Sequence, residues 1–463
     1  MIEGLKPYAE YKESGLPWAP QIPAHWNLIP NRAVLRKRKI LVGGNHQNYQ
    51  LLSLTKGGVI VRDISTGKGK FSSDMGTSQE VRKGDFVFCL FDVPETPRTV
   101  GLSIHDGMIT SAYTVFESRK LPVEGVRYLE RFYLAMDDQK LLSPLYSGLR
   151  HTIPPPRFLG TKTPQPPTDE QAAIVRFLDH ASRKIDGFIR AKRKLIGLLN
   201  EQTQAIIHRA VTRGLDPAAP FKPSGISWLG DIPQHWEVRR IKYLLREVDV
   251  RSTTGSEPLL SMRMHHGLVL FAEHFTRPPQ AATLVGFKIV RPGQFVVNRM
   301  QAGNGVIFAS TLTGLVSPDY AVFDPIGDAN VAFLGELFRS LKVRAKFRAE
   351  SKGLGTGTSG FLRLYNDRFG AIHVALPPCA EQRAILTGLA VELSSVNTAT
   401  ARLEREIEIL REYRTRLVAD VVTGKLDVRE AAARLPEVEE APADEPGLAG
   451  EDETIDDLSE ETA

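Results

Sequence analysis

The side chains in this sequence best equipped for chemistry are basic and amide groups set in turn-like stretches. The chemistry they suit is contact with nucleic acid. Asn298-Arg299-Met300-Gln301, with Asn304 close behind, follows an apolar run that reads as a strand. Ser351-Lys352 leads into a glycine-rich stretch, Gly353 to Gly360, which carries Thr356; Arg363 comes soon after, and Arg263 lies in the same half. In the other half Lys56, Lys68, Lys70 and Arg98 fall in turns, and Arg150-His151 precedes a proline run. Arg, Asn and Gln can pair two hydrogen bonds with a base edge; Lys, Ser, Thr and glycine amides suit phosphates. The glycine stretch is either a backbone cradle for a phosphate or a plain turn. Arg36-Lys37-Arg38-Lys39 either meets phosphates or forms a solvated face.

Catalytic patterns are missing, so no catalytic or metal-binding residue is expected. Gly67-Lys68 and Gly69-Lys70 lack the upstream Gly and downstream Ser/Thr of a nucleotide-binding loop. His265 and His266 are adjacent, and in a strand they face opposite ways, so they cannot chelate together. The two cysteines, Cys89 and Cys379, fit neither a disulfide framework nor a thiolate zinc site. His25 and His235 each precede a tryptophan, which points to packing rather than to a base. A nuclease would need clustered carboxylates. Asp85, Asp92 and Glu95 are the near candidates, and the repeat described next puts Gln294 at the place of Asp85.

The elements that must position these residues are duplicated. Ser14-Gly15-Leu16-Pro17-Trp18 leads to Ile22-Pro23-Ala24-His25-Trp26; after an offset of 210, Ser224-Gly225-Ile226-Ser227-Trp228 leads to Ile232-Pro233-Gln234-His235-Trp236. All four tryptophans lie in these two segments. Glu170-Gln171 recurs as Glu381-Gln382, and Val211-Thr212 with Leu215-Asp216 recurs as Val422-Thr423 with Leu426-Asp427. Gly84, Phe86 and Val87 match Gly293, Phe295 and Val296; Tyr113, Val115 and Phe116 match Tyr320, Val322 and Phe323. So long a period means two tandem domains, not a solenoid.

Each half has a tryptophan-bearing lead-in, a strand-rich body, a proline exit and a long helix. The exits are Ile153-Pro154-Pro155-Pro156 and Leu376-Pro377-Pro378. Leu129 to Met136 and Ala332 to Phe347 have helical spacing within the bodies. In the first long helix Ile174, Leu178, Ala181, Ile185, Phe188, Leu195, Leu199 and Ile206 alternate steps of four and three; in the second Ile385, Leu389, Val396, Leu403, Ile407, Leu410, Leu417 and Val421 follow nearly the same beat. Such a sustained pattern predicts a coiled-coil seam. Thr168 with Gln171 suggests a capping box, and Gly214 and Gly424 stand where C-terminal stops belong. From Thr168 to Arg213 the helix would span about 65–70 Å. The fold class expected is α+β: two tandem α/β domains joined by two long helices in a coiled coil, whose direction the pattern leaves open and which a pseudo-twofold relation of the halves would make antiparallel. Two such domains on a stiff rod would read two short sequences across an unread gap.

The charge asymmetry suits either a polyanion binder or a soluble protein with scattered solvated lysines, and charge alone does not choose between them. The chain has 463 residues, and its composition is globular, with 42% hydrophobic and 24% charged residues. Residues 436–463 carry 12 Asp or Glu and no Lys or Arg. Residues 1–435 therefore hold 59 basic against 42 acidic side chains, an excess of 17. The acidic tail reads as disordered. No run approaches the ~18 apolar residues of a membrane span, and Met1 to Glu13 lacks a leader pattern, so a cytoplasmic location without membrane contact is expected.

These features resemble the specificity subunit of type I restriction-modification systems. The resemblance covers about residues 5–430 and rests on Ile-Pro-x-His-Trp at both lead-ins, on Pro377-Pro378-Cys379-Ala380-Glu381-Gln382, and on helices ending near Leu-Asp. The first exit departs from the pattern, because extra residues separate Pro154-Pro155-Pro156 from Glu170. The resemblance implies a lead-in at 1–26, a target recognition domain at 27–160, a central helix at 161–216 and a repeated lead-in at 217–236. A second recognition domain at 237–376, a C-terminal helix at 377–430 and the tail at 431–463 follow. It implies a non-catalytic subunit that binds double-stranded DNA at a bipartite target. Two methyltransferase subunits and motor-nuclease subunits would join it, and these partners would carry S-adenosylmethionine, ATP and magnesium. The expected DNA-binding residues are those in the turns above; the expected seam residues are Ile174, Leu178, Ile185, Leu195, Leu199, Leu403, Leu410 and Leu417. The competing reading is a coiled-coil protein scaffold with no sequence-specific DNA role.

Overall fold

A computed structural model describes residues 5–62, 75–119, 121–264, 266–275, 278–327, 329–354 and 361–436. Its helices are α1 (Asn31–Val34), α2 (Val123–Asp138), α3 (Pro155–Gly160), α4 (Thr168–Arg213), α5 (Phe271–His274), α6 (Val331–Arg339), α7 (Leu341–Glu350), α8 (Asn366–Ala371), α9 (Cys379–Val422) and α10 (Arg429–Ala433). None is long and apolar enough to cross a membrane. Two compact units form. The first runs to Lys192 and resumes at Arg405; the second runs from Arg193 to Glu404. Each unit thus owns one globular domain and part of both long helices.

In the first unit, strands Leu35–Arg38, Thr114–Ser118, Phe86–Phe88 and Val100–Leu102 form an antiparallel sheet in that order. In the second, Leu245–Val248, Ala321–Pro325, Phe295–Val297 and Ile307–Ala309 repeat the order and the pairing. Successive strand residues face opposite sides, so each sheet feeds two cores. Phe86, Phe88 and Phe116 enter the core that contains Trp26, while Val87 and Val115 join Leu52, Val59, Val81 and Ile109 behind the sheet. Phe295 and Val297 pack with Trp236, and Val296 packs with Leu260, Met262 and Phe308. The helical stretch expected from Ala332 to Phe347 is two helices, because the Ser340 hydroxyl donates to the Leu337 carbonyl at 2.7 Å and ends α6.

The first exit is corrected. Ile153-Pro154-Pro155-Pro156 does not leave the domain: it opens α3, and strand Lys162–Gln165 then returns to pair with Asn27–Pro30. Its equivalent in the second unit is His373–Leu376, paired with Glu237–Arg240. The matching exits are therefore Pro166-Pro167 and Pro377-Pro378, both followed two residues later by Glu-Gln. Gln171 does not close a capping box; its Nε2 donates to the Pro166 carbonyl at 2.7 Å, as Gln382 does to Pro377 at 2.8 Å.

The recurring Trp-His and Glu-Gln motifs meet in space as a lock. Glu170 accepts from Trp26 Nε1 (2.9 Å), faces His25 Nε2 (2.8 Å) and accepts the Tyr8 hydroxyl (2.5 Å). Glu381 accepts from Trp236 Nε1 (3.0 Å) and faces His235 Nε2 (2.6 Å). Each lock also receives a helix C-terminus. Gly424, at φ +78°, would put a Cβ 2.3 Å from Pro23 Cδ, and Gly214, at φ +76°, sits against Glu381 and Trp236. Each domain is thus fixed where one long helix begins and the other ends. The first lock also ties the N-terminal lead-in to the segment after α9, since the Asp427 amide donates to the Lys6 carbonyl at 2.8 Å and Arg429 lies over the Tyr8 ring.

Within each unit α4 and α9 run antiparallel. Asp186 pairs with Arg414 (2.6 Å) and Lys192 with Glu406 (2.5 Å) in the first; Arg209 pairs with Glu392 (2.7 Å) in the second. Ile174, Leu178, Ile185 and Leu417 are buried, while Leu199, Leu403 and Leu410 are half-buried. Leu195, expected on the seam, is 45% exposed, and Phe188 is exposed too. The buried track passes instead through Ile185, Ile189 and Ile207, with half-buried Ile196 between them. It follows the natural α-helical period, from which a strict seven-residue beat drifts by about 20° per heptad.

Candidate nucleic-acid interface

The loops that follow the equivalent strands Phe86–Phe88 and Phe295–Val297 differ in chemistry between the two units. In the second unit, strand Phe295–Val297 delivers Asn298, Arg299, Met300 and Gln301. Asn298 is buried, and its Oδ1 accepts from the Met300 and Gln301 amides at 3.1 and 3.3 Å. It shapes the loop rather than pointing outward. Arg299 pairs with Glu247 at 3.0 Å, and its carbonyl accepts from the Leu364 amide. Gln301 is half-buried, and Asn304 is exposed at the loop tip. Arg363, beside Lys352 in the hairpin Lys352–Leu354 with Phe361–Arg363, lies 3.5 Å from Asp319 and over the Tyr365 ring. Lys352 is exposed. The structure therefore gathers Asn298, Arg299, Gln301 and Asn304 in one loop and links that loop through Leu364 to the hairpin of Lys352 and Arg363. Arg263 is half-buried with its guanidinium over Phe275.

In the first unit the equivalent loop is Cys89-Leu90-Phe91-Asp92. Asp92 has φ 46° and takes Arg150 in a two-point pair, Nη2 at 2.5 Å and Nε at 3.2 Å. That pair holds the Asp92 carboxyl below its ordinary range. The Arg150 guanidinium also covers Phe91, whose ring lies 6.3 Å from Tyr113. Burial raises the Cys89 thiol, so it is no ready nucleophile. Lys56 is exposed in the turn between strands Leu52–Thr55 and Gly58–Val61. Lys68, Lys70 and Thr356 lie outside the described residues, as does His265.

Other expected residues have partners that explain them without a ligand. Arg98 binds Asp138 at 2.8 Å and Asp137 at 3.3 Å, and Asp137 also receives the Thr99 amide and Lys140. Along Arg36 to Lys39, Arg36 pairs with Glu117 and Arg38 with Asp85, leaving Lys37 and Lys39 exposed. Two of the carboxylates that a nuclease would need face a cation, Asp85 facing Arg38 and Asp92 facing Arg150, and Glu95 lies 3.9 Å from His151. Burial, the largest influence, lifts the Asp85 carboxyl above its ordinary value. Its role is a latch, since it accepts the Arg82 amide at 2.7 Å; Gln294 accepts the Arg291 amide at the same distance and donates to Asp324. Among the described residues no group of three His, Cys, Asp or Glu could hold a metal ion.

Sequence reasoning missed two arginines. Arg348, on α7, donates to Asn304 Oδ1 at 3.0 Å and to the Gly303 carbonyl at 3.3 Å. Arg344, four residues earlier, lies against Gly305 and shares a cleft of about 920 Å³ with Asn304 and Arg339. The signal was present as two arginines four apart, which share a helix face, but their opposition to the loop of Asn304 was not.

No family model matches this sequence, and no curated protein does. Solved structures do. A chain from work on complex assembly and conformational transition of the type I R-M system superposes with TM-score 0.55 at 14% identity, covering 88% of this chain and 99% of that one. The HsdS subunit from Thermoanaerobacter tengcongensis gives TM-score 0.40 at 15% identity, covering 88% and 98%. The type I restriction-modification S subunit from M. genitalium gives 0.32 at 12%, covering 90% and 98%. With its duplicated sheets, its paired locks and its two long helices, this chain has the fold of a component of a type I restriction-modification system.

Proposed function

We propose that this chain is the DNA-recognition subunit of a type I restriction-modification complex. Each globular domain reads one half of a bipartite target. The helices set the spacing and carry two methyltransferase subunits, and motor-nuclease subunits join them. The chain itself performs no catalysis; S-adenosylmethionine, ATP and magnesium belong to the partners. The observation that carries this reading is the pairing of one repeated framework with two different loops. Strand order, locks and latches recur in both units, while the loop after Phe86–Phe88, Cys89-Leu90-Phe91-Asp92, is replaced after Phe295–Val297 by Asn298-Arg299-Met300-Gln301. A protein that reads two unlike half-sites needs that combination, with scaffold conserved by duplication and contact chemistry altered. A scaffold that binds two copies of one protein would keep its contact surfaces alike.

Single-molecule sequencing of adenine methylation, in cells with and without the gene, tests the proposal. Loss of one bipartite methylated motif is the expected result. An unchanged methylome in cells that make the assembled complex would refute it. For the purified complex, Lys352→Ala should weaken binding to the motif without changing the number of methyltransferase subunits bound.

A further inference from the structure

Helix α7 carries more positive charge than the carboxylates paired with it among the described residues. From Arg339 to Lys352 the chain carries six Lys or Arg and one carboxylate, Glu350. Glu350 is taken by Lys346 at 2.6 Å and by Arg368 at 3.5 Å, and Arg339 pairs with Glu336. The Arg344 side chain has no hydrogen bond or ion pair among the described residues, and its Nε is buried without a partner. It sits in the cleft beside Asn304 and Gly305, and burial and then Arg348 press its guanidinium below the ordinary value. A half-buried guanidinium with no carboxylate partner gains from an anion that meets it. The position is peculiar to the second unit. In the first, α2 ends in Asp137 and Asp138, which are bound by Arg98.

We propose that α7 is a phosphate-binding element for duplex DNA, with Arg344 meeting a backbone phosphodiester beside the second half-site. A guanidinium offers a planar fork suited to phosphate oxygens. Arg344 and Arg348 lie four residues apart on the face that packs against residues 303–305, so the phosphate contact adjoins Asn304. A run of cations complements a polyanion; a partner's single carboxylate would need only one. This inference rests on the DNA-recognition reading and adds an asymmetry to it: the second domain anchors the backbone through a helix that the first domain lacks.

The test uses the full chain assembled with its methyltransferase subunits and a duplex carrying the motif found by methylation mapping, titrated at several salt concentrations. Each lost phosphate contact should lower the slope of log K against log salt by about one. Arg344→Gln should show that drop, with affinity about tenfold lower for motif and random duplexes alike. Arg344→Lys should keep the slope. If Arg344→Gln fails to assemble, exposed Arg348→Gln carries the same expectation. An unchanged slope in the assembled variant overturns the inference, and fewer methyltransferase subunits with an unchanged slope would assign Arg344 to a partner carboxylate instead. Wild-type complex that shows no preference for the motif would refute the DNA-recognition reading itself, a result distinct from either.

Discussion

The two locks should differ in strength, and the difference can be worked from their geometry. Glu170 is 2% exposed and receives three side chains, from Tyr8, His25 and Trp26. Glu381 is 28% exposed and receives two, from His235 and Trp236. Ala218 stands 210 residues after Tyr8 and has no hydroxyl to offer. A hydrogen bond to a charged group contributes about 1.5–3 kcal/mol, and buried donors left without a partner add to the loss. Glu170→Ala should therefore cost about 5 kcal/mol and Glu381→Ala about 3 kcal/mol. The first figure is comparable to the whole stability of a modest domain. Urea unfolding followed by tryptophan fluorescence reads this directly, because Trp18 and Trp26 report on the first lock and Trp228 and Trp236 on the second. Tyr8→Phe should remove about 2 kcal/mol and bring the first lock level with the second. Equal losses for the two Glu→Ala variants, or a silent Tyr8→Phe, would refute the ranking.

Lys288 is buried in strand Lys288–Val290, with Asp249 at 3.7 Å, and burial holds its ammonium below the ordinary 10.5. The unfolded chain then binds that proton more tightly, so stability rises with pH in the window below 10.5. Lys288→Gln, which installs the residue type found at Gln79 in the first domain, should raise the melting temperature at pH 7, and the gain should fade towards pH 10.5; a gain that grows with pH contradicts the argument. Gly424→Ala should cost about 3 kcal/mol, from left-handed backbone strain and collision with Pro23, whereas Gly187→Ala, open on α4, should stabilise by about 0.5–1 kcal/mol. On the helices, Leu178→Ala should cost about 2–5 kcal/mol in chemical denaturation, while exposed Leu195→Asp should stay within about 0.5 kcal/mol.

Much of the architecture was legible because its signals are local or duplicated. The extent of α4, the glycine stops at Gly214 and Gly424, and the existence of two like domains follow from periodicity and from the 210-residue offset. The first exit was misplaced, because Pro154-Pro155-Pro156 attracts attention as a run while Pro166-Pro167 keeps the spacing to Glu-Gln. A strand return had to be seen before the two exits could be aligned. Leu195 was misjudged because a seven-residue beat and a 3.6-residue helix part company over three heptads.

By itself the sequence determined the duplication, the long helices and the residue types available for contact, since each is written in nearest-neighbour spacing or in exact recurrence. Only the tertiary structure decided which of those residues are engaged. Arg98 meets carboxylates some 40 positions away, Arg299 meets Glu247 at a separation of 52, and Glu170 meets tryptophan, histidine and tyrosine at separations of 144, 145 and 162. Arg344 is left with no carboxylate at all among the described residues. Charge partners are chosen by proximity in space after the backbone has closed, and no local pattern along the chain records that choice.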